Sequence, residues 1–128
     1  MSKSPITCHV LDSSTGKPAK GVAVTLQGYR SVPGNDNMNM FEPMATGETD
    51  SDGRCTDLLP PHDSPDRAKL KIGGLYKVTF KTKEYFAKTG RKCFYPWVEI
   101  TFELDDTEEH YHIPLLISPY SFTTYRGS

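Results

Sequence analysis

Hydrophobic and polar residues alternate along most of this chain, and this period of two restricts the possible folds more than any other feature. The alternation is clearest at residues 6–11, 75–80 and 97–103, which are rich in Val, Ile, Thr, Tyr and Phe. Because successive side chains of a β-strand point to opposite sides of the sheet, the pattern predicts strands with one buried face. Further strands are predicted over residues 21–26, 44–49, 110–117 and 120–125. Seven or eight short strands favour an all-β sandwich.

The segments between the predicted strands are rich in turn-forming residues. Residues 12–18 and 51–53 predict turns, and two longer polar stretches that contain proline, 31–43 and 59–69, are predicted to be loops. Neither loop shows a chemical signature. The chain has no internal repeat or linker, so its 128 residues are predicted to form a single domain over 1–128.

One segment departs from the period of two. Residues 82–90 begin with a threonine, continue with Glu84 in the first turn and end with Gly90. Threonine is a favoured N-cap and glycine commonly ends a helix. This segment therefore predicts one short helix with Thr82 as its N-cap.

Charge and cysteine content restrict the partners and the location. The chain has 15 basic and 16 acidic residues, so its net charge of −1 provides no excess of positive charge for nucleic acid or an anionic membrane. Cys8, Cys55 and Cys93 lack C-x-x-C spacing, which is typical of a reducing compartment. No apolar run has the length of a membrane span, and neither a secretory signal nor a terminal Ser-Lys-Leu is present. A cytoplasmic location is expected, with the peroxisome left open.

The strand period also assigns side chains to faces. In the first strand Cys8 and Val10 lie opposite His9, and in the strand at 110–117 Ile113 and Leu115 lie opposite His112. The second face of the first and last two strands carries a mixed set: His9, His112, Pro114, Leu116, Thr123 and Tyr125. A fully solvated face would carry more Lys, Glu and Asp, so this composition predicts a half-polar buried surface, such as a subunit contact that encloses a pocket.

Simpler interpretations of the polar residues stay open at this point. His110 and His112 form an H-x-H pair on one strand face, which is a candidate zinc pair, although no carboxylate cluster or C-x-x-C supplies further ligands. His62, among prolines and carboxylates, is typical of a surface histidine, and Arg54 after a turn is typical of a surface charge. A structural sandwich with a zinc-binding histidine pair is therefore one functional hypothesis.

Several short motifs, in order along the chain, resemble those of one enzyme family. They are Ile6 to Asp12 with Gly16-Lys17-Pro18-Ala19, Asp52-Gly53-Arg54-Cys55, Phe94-Tyr95-Pro96, His110 to Tyr120, and Tyr125-Arg126-Gly127-Ser128. Each motif is weak alone, but the ordered set, from residue 5 to the last residue, resembles the 5-hydroxyisourate hydrolases, the transthyretin-related enzymes of urate breakdown. The hormone carrier transthyretin shares their fold but lacks the two histidines, the arginine and the Tyr-Arg-Gly-Ser end.

The resemblance implies a transthyretin-like β-sandwich of two four-stranded sheets with one short helix. It also implies a homotetramer, a dimer of dimers, whose central channel holds the active sites. The implied reaction is hydrolysis of 5-hydroxyisourate to 2-oxo-4-hydroxy-4-carboxy-5-ureidoimidazoline without a metal or cofactor. Carried over by position, the catalytic set is His9, Arg54, His112, Tyr125 and Ser128, and the substrate-binding set adds Arg126, Gly127, Pro114 and Leu116. The loops at 31–43 and 59–69 look longer than is usual for the family.

The implied ring opening suits these side chains. Water adds to a ring carbonyl and the adjacent C–N bond breaks, which requires a base, a group that stabilises the oxyanion, and an acid. Histidine transfers protons near neutral pH, so we hypothesise that His9 and His112 share this task, with the identity of the base left open. Arg54 stays protonated and stabilises the developing charge.

The terminal Tyr-Arg-Gly-Ser residues have implied roles in the same site. The Tyr125 ring can wall off the channel, Arg126 can hold the terminus or contact substrate, and Gly127 permits a turn that a side chain would forbid. The Ser128 carboxylate can orient a histidine. The alternative function is a transthyretin-like carrier of small ligands that uses the same channel, which a bulky Tyr125 would shorten.

Overall fold

The computed structural model describes residues 3–127, with the side chain of Asp36 left out. These residues form nine strands and one helix: β1 (Ile6–Asp12), β2 (Lys17–Pro18), β3 (Ala23–Val32), β4 (Asn35–Glu48), β5 (Arg54–Cys55), β6 (Leu75–Phe80), α1 (Thr82–Ala87), β7 (Val98–Glu103), β8 (Tyr111–Ser118) and β9 (Ser121–Thr124). No helix among the described residues is long and apolar enough to cross a membrane.

The strands form two sheets. The first has the order β2-β1-β8-β9, with the two-residue β5 also paired with β1, and the second has the order β4-β3-β6-β7. The pair β1–β8 is parallel, and the other pairs are antiparallel. The predicted all-β sandwich of two sheets with one short helix is confirmed. The first sheet has five strands where four were expected, because the two-residue β5 also pairs with β1, which joins it to β8.

The core lies between the two sheets and follows the predicted faces. Cys8 and Val10 of β1 and Leu115 of β8 are fully buried, as are Leu26 of β3 and Val78 of β6 in the opposite sheet. Truncating a buried leucine to alanine costs about 2–5 kcal/mol, so the core packing holds these strands in one orientation. The opposite face of β1 and β8 is therefore the one available for function. The face assignment made from the alternation is therefore confirmed for these strands.

The prediction of a loop over residues 31–43 is wrong. β3 extends to Val32 and β4 begins at Asn35, so the segment forms a long β-hairpin joined through Pro33 and Gly34. The glycine has φ +76°, which matches its place in a turn after proline. Pro43 is tolerated because β4 is an edge strand and the β3–β4 register shifts beside it. The Asn-rich composition of this segment predicted a loop because it carries no sign of the pairing with β3.

The predicted helix is present but its cap is different. Lys81 occupies the N-cap position without a side-chain hydrogen bond, and Thr82 is the first helical residue. The Thr82 hydroxyl donates instead to the Tyr95 carbonyl at 2.8 Å, so tertiary contact outweighs capping. The helix ends at Ala87, and Gly90, with φ +70°, allows Arg91 N–H to reach the Phe86 carbonyl at 3.1 Å. The proline-rich segment after Leu59 is an irregular loop, as predicted.

Candidate active site

Three adjacent strands bring the two predicted histidines and the arginine together. His9 on β1 is paired with Arg54 on β5, and on its other side β1 pairs Thr7 with His112 of β8. The Val10 amide donates to the Gly53 carbonyl at 2.7 Å. Hydrogen-bonded pairs alternate in an antiparallel ladder, so His9 and Arg54 form a non-hydrogen-bonded pair, whose side chains approach most closely.

The turn before β5 holds both His9 and Arg54. The Asp50 carboxylate accepts the amides of Asp52 and Arg54 at 2.9 and 3.0 Å. These hydrogen bonds, together with the nearby charges of Arg54 and His9, lower the pKa of Asp50. The Asp52 carbonyl in turn accepts from His9 Nε2 at 2.9 Å. At Gly53, φ is +75° and a Cβ would lie 2.3 Å from the Val10 carbonyl oxygen, so only glycine fits here.

His112 lies between β1 and the end of the described chain. Its Nδ1 is 2.8 Å from the Thr7 hydroxyl, and its ring centroid is 6.4 Å from that of His9. Burial is the first cause that lowers the pKa of His112, followed by the positive charges of His110, His9, Arg54 and Lys3. The ring is therefore held neutral near pH 7, which is the form that can accept a proton.

The Tyr-Arg-Gly segment contacts His112 through Gly127. The Gly127 amide donates to the His112 carbonyl at 3.0 Å, and a Cβ on Gly127 would lie only 2.7 Å from His112 Cδ2. This bridge keeps the register of the β8–β9 ladder, which is interrupted where Pro114 lies opposite Tyr125. A proline has no N–H to donate, which explains the interruption. The predicted site residue Ser128 lies outside the described residues.

Arg126 and Tyr125 do not line the same space as Arg54. The Arg126 guanidinium pairs with Glu109 at 2.6 Å and lies 4.7 Å from the Tyr111 ring centroid. Tyr125 is 59% exposed. With His112, these two residues line a smaller cavity of about 250 Å³ between β7 and the pair β8–β9. Substrate contacts by Arg126 and Tyr125 stay predictions.

The larger cavity is beside Arg54 and His112. It has a volume of about 780 Å³, and its charged or titratable lining consists of Lys3, Arg54, His110, His112 and Asp57. Positive charge predominates there, which suits a substrate that develops negative charge. His9 borders His112 but is not part of this lining. Pro114 is buried and Leu116 half-buried on β8, and neither lines the cavity.

One wall of this cavity was missed by the sequence analysis. It is formed by Leu58 and by Leu59, Pro60 and Pro61, which begin the segment 59–69 that was predicted to be a loop without a chemical signature. Two consecutive leucines before two prolines, in an otherwise polar stretch, were the available signal. The sequence analysis also missed Thr7, whose hydroxyl lies between the rings of His110 and His112. The described residues contain no group of three or more His, Cys, Asp or Glu arranged to hold a metal ion.

Comparison with known proteins identifies the family. The HIUase/Transthyretin family model matches residues 6–127. The chain is 38% identical over 125 residues to the 5-hydroxyisourate hydrolase of Mus musculus, with 98% of this chain and 96% of the mouse protein covered.

Two solved structures show the same fold. The 5-hydroxyisourate hydrolase of Klebsiella pneumoniae has a TM-score of 0.71 and 36% identity, covering 96% of this chain and 98% of that one. Sea bream transthyretin in complex with thyroxine has a TM-score of 0.76 and 29% identity, covering 96% and 94%. The chain belongs to the HIUase/transthyretin family.

Proposed function

We propose that this chain hydrolyses 5-hydroxyisourate to 2-oxo-4-hydroxy-4-carboxy-5-ureidoimidazoline, a step of urate degradation. The mouse and Klebsiella pneumoniae proteins that it resembles are named 5-hydroxyisourate hydrolase. Similarity of fold alone does not separate this activity from ligand carriage, because the TM-score is higher for transthyretin than for the hydrolase. The observation that carries the proposal is the meeting of His9, Arg54 and His112 on three adjacent strands.

In the proposed mechanism His112 is the general base. Its Nδ1 is occupied by Thr7, while no hydrogen bond joins its Nε2 to any of the described residues, so Nε2 is available to water. Burial lowers the pKa of His112, so the ring is unprotonated near neutral pH. His112 removes a proton from water as the water oxygen bonds to the ring carbonyl carbon. It returns that proton to the ring nitrogen when the C–N bond breaks.

His9 orients the attacking water in this scheme. A carbonyl oxygen only accepts hydrogen bonds, so the contact of His9 Nε2 with the Asp52 carbonyl requires a proton on Nε2. In the neutral ring Nδ1 is then without a proton and accepts a hydrogen bond from the water. His9 thus acts with its tautomer fixed by the turn, whereas His112 changes protonation state.

Arg54 stabilises the oxyanion that forms on the carbonyl oxygen. Its exposed guanidinium lines the cavity and offers a planar set of N–H donors that stays charged throughout the reaction. Loss of one such donor commonly lowers the rate by about 10²–10³-fold. The alternation of faces supports this role, because Arg54 points away from the core side occupied by Cys55.

We also propose that the chain acts as a homotetramer, a dimer of dimers, in the cytoplasm. Exposed aromatic side chains near the last two strands support an assembly, with Tyr120 at 68% and Tyr125 at 59% exposure. The free cysteines Cys8, Cys55 and Cys93 support a reducing compartment. Light scattering of the purified protein tests the assembly, and a monomer at micromolar concentration would contradict it.

The ultraviolet absorbance of freshly made 5-hydroxyisourate tests the activity directly. Its loss should be faster with the protein than by spontaneous decay, and His112→Asn and Arg54→Ala should remove most of the difference. Arg30→Ala is a matched control, because Arg30 pairs with Glu42 on the hairpin and does not line the cavity. If 5-hydroxyisourate decays at its spontaneous rate in the presence of the protein, and thyroxine binds stoichiometrically, the chain is a ligand carrier and not a hydrolase.

A further inference from the structure

The Thr7 hydroxyl lies between two imidazoles. Its Oγ1 is 2.8 Å from His112 Nδ1 and 2.8 Å from His110 Nε2. Thr7 is only 5% exposed, and β1 pairs it directly with His112. His110 and His112 are two residues apart in extended chain and so point to the same side, with ring centroids 6.1 Å apart. The three groups therefore form one hydrogen-bonded unit beside the larger cavity.

A hydroxyl can donate only one hydrogen bond, and this limit couples the two rings. If Thr7 donates to His110 Nε2, it accepts from His112 Nδ1, and His112 Nε2 is without a proton when the ring is neutral. If Thr7 donates to His112 Nδ1, the neutral His112 carries its proton on Nε2 and cannot act as a base there. The direction of the Thr7 O–H bond is thus tied to the tautomer of His112 and to that of His110.

We infer that Thr7 is a positioning residue that holds His112 as the Nδ1–H tautomer and passes its proton to His110 when Nε2 accepts a proton from water. The inference rests on the proposed hydrolase function. In this relay the His112 Nδ1 proton moves to Thr7 Oγ1 as the Thr7 proton moves to His110 Nε2. The positive charge then rests on His110, and the reverse transfers return a proton through His112 to the leaving nitrogen. Atoms and charge balance without another reactant.

The charges around the unit oppose protonation of both rings at once. In addition to burial, the charges of Lys3 and His62 lower the pKa of His110, and those of His9, Arg54 and Lys3 lower the pKa of His112. Asp57 is the carboxylate in the cavity lining. Burial, followed by these positive neighbours, lowers the pKa of both rings. Two adjacent imidazolium ions are therefore disfavoured, whereas a single charge that moves from His112 to His110 is retained close to the reaction.

Thr7→Val tests the relay, because valine keeps the shape of threonine and removes the hydroxyl. We expect kcat to fall about 10–100-fold with KM nearly unchanged, which is the range for losing the hydrogen-bond partner that orients a metal-bound histidine. Thr7→Ser should restore most of the rate. Thr79→Val is the matched control, since Thr79 is also a buried strand threonine, 6% exposed, in the opposite sheet. Wild-type kcat in Thr7→Val, or no recovery in Thr7→Ser, would overturn the inference.

Nitrogen-15 chemical shifts of the histidine rings provide a readout that does not depend on activity. The folded wild-type protein should show a protonated Nδ1 and a bare Nε2 at His112, and Thr7→Val should lose this preference. A wild-type tautomer pattern in Thr7→Val would overturn the inference whatever the rate. If the wild-type protein does not hydrolyse 5-hydroxyisourate, the proposed function fails, while the tautomer measurement still decides whether Thr7 sets the state of His112.

A double-mutant cycle separates a relay from two independent contacts. His110→Asn should lower kcat about as much as Thr7→Val, and the combined variant should be no slower than either single variant, since both interrupt one path. Effects that multiply in the combined variant would contradict the relay. Thermal unfolding of each variant checks that the folded population is the same in every assay.

Discussion

Replacing Gly127 with alanine should displace His112 without unfolding the protein. The added Cβ would lie 2.7 Å from His112 Cδ2 and 3.0 Å from Pro114 Cγ. Favourable carbon contacts lie near 3.5–4.0 Å, so either the ring or the terminal segment must move by about 1 Å. The proline ring is fixed within β8, so the movement falls on His112 or on the backbone at Gly127. A misplacement of about 1 Å can cost about 10²-fold in rate.

The expected result is a fall in kcat/KM of about 10–100-fold with a small change in stability. If the terminal segment moves away, the 3.0 Å hydrogen bond from Gly127 N–H to the His112 carbonyl is lost. Such a hydrogen bond contributes about 1 kcal/mol to stability. Initial rates by ultraviolet absorbance and the thermal midpoint measure the two effects. Gly28→Ala is the matched control, because its Cβ would press only on the flexible Met44 side chain at 3.0 Å, with Tyr76 at an ordinary 3.6 Å, and because β3 belongs to the opposite sheet. An unchanged rate for Gly127→Ala would refute the argument that Gly127 positions His112.

Three further outcomes are expected for substitutions at other positions and for a change of pH. Arg54→Ala should lower kcat about 10²–10³-fold while circular dichroism stays unchanged, because its strand pairing uses only the backbone. Arg91→Ala should reduce the free energy of unfolding in urea by about 2–3 kcal/mol, since it leaves the fully buried Asp12 carboxylate without its 2.9 Å ion pair; Arg91 is itself 28% exposed, which reduces the loss. Burial lowers the pKa of His110 and His112, so below about pH 6.5 the unfolded state binds more protons and stability should rise with pH up to that value. Replacing both histidines with glutamine should flatten this part of the stability curve, and an unchanged slope would contradict the pKa argument.

The sequence predicted the strands best where alternation and β-branched residues agreed. The segment 75–80 is β6 in full, and the faces assigned to Cys8, His9, Ile113 and His112 match the buried and exposed sides of β1 and β8. These predictions depend on a local rule, the period of two, which holds whatever the strand's neighbours are.

The errors occurred where contact with another segment, near or far along the chain, decides the local structure. Residues 31–43 are rich in Asn, Gly and Pro, yet pairing with β3 makes most of them strand. Thr82 has the right chemistry for an N-cap, but the Tyr95 carbonyl competes for its hydroxyl. β5 has only two residues, too few to show any period, and it exists because β1 lies beside it.

By itself the sequence determined the sandwich class, the buried face of each main strand, and, through its resemblance to a family, a candidate set of two histidines and one arginine. The tertiary structure alone decided that Arg54 lies next to His9, that Thr7 joins His110 to His112, and that Leu58 to Pro61 wall the cavity. The physical reason is that alternation is set by the geometry of a single strand, whereas the contacts of Arg54 and Thr7 depend on the register between strands distant in sequence. The cavity wall likewise depends on a loop packing beside strands far from it in the chain.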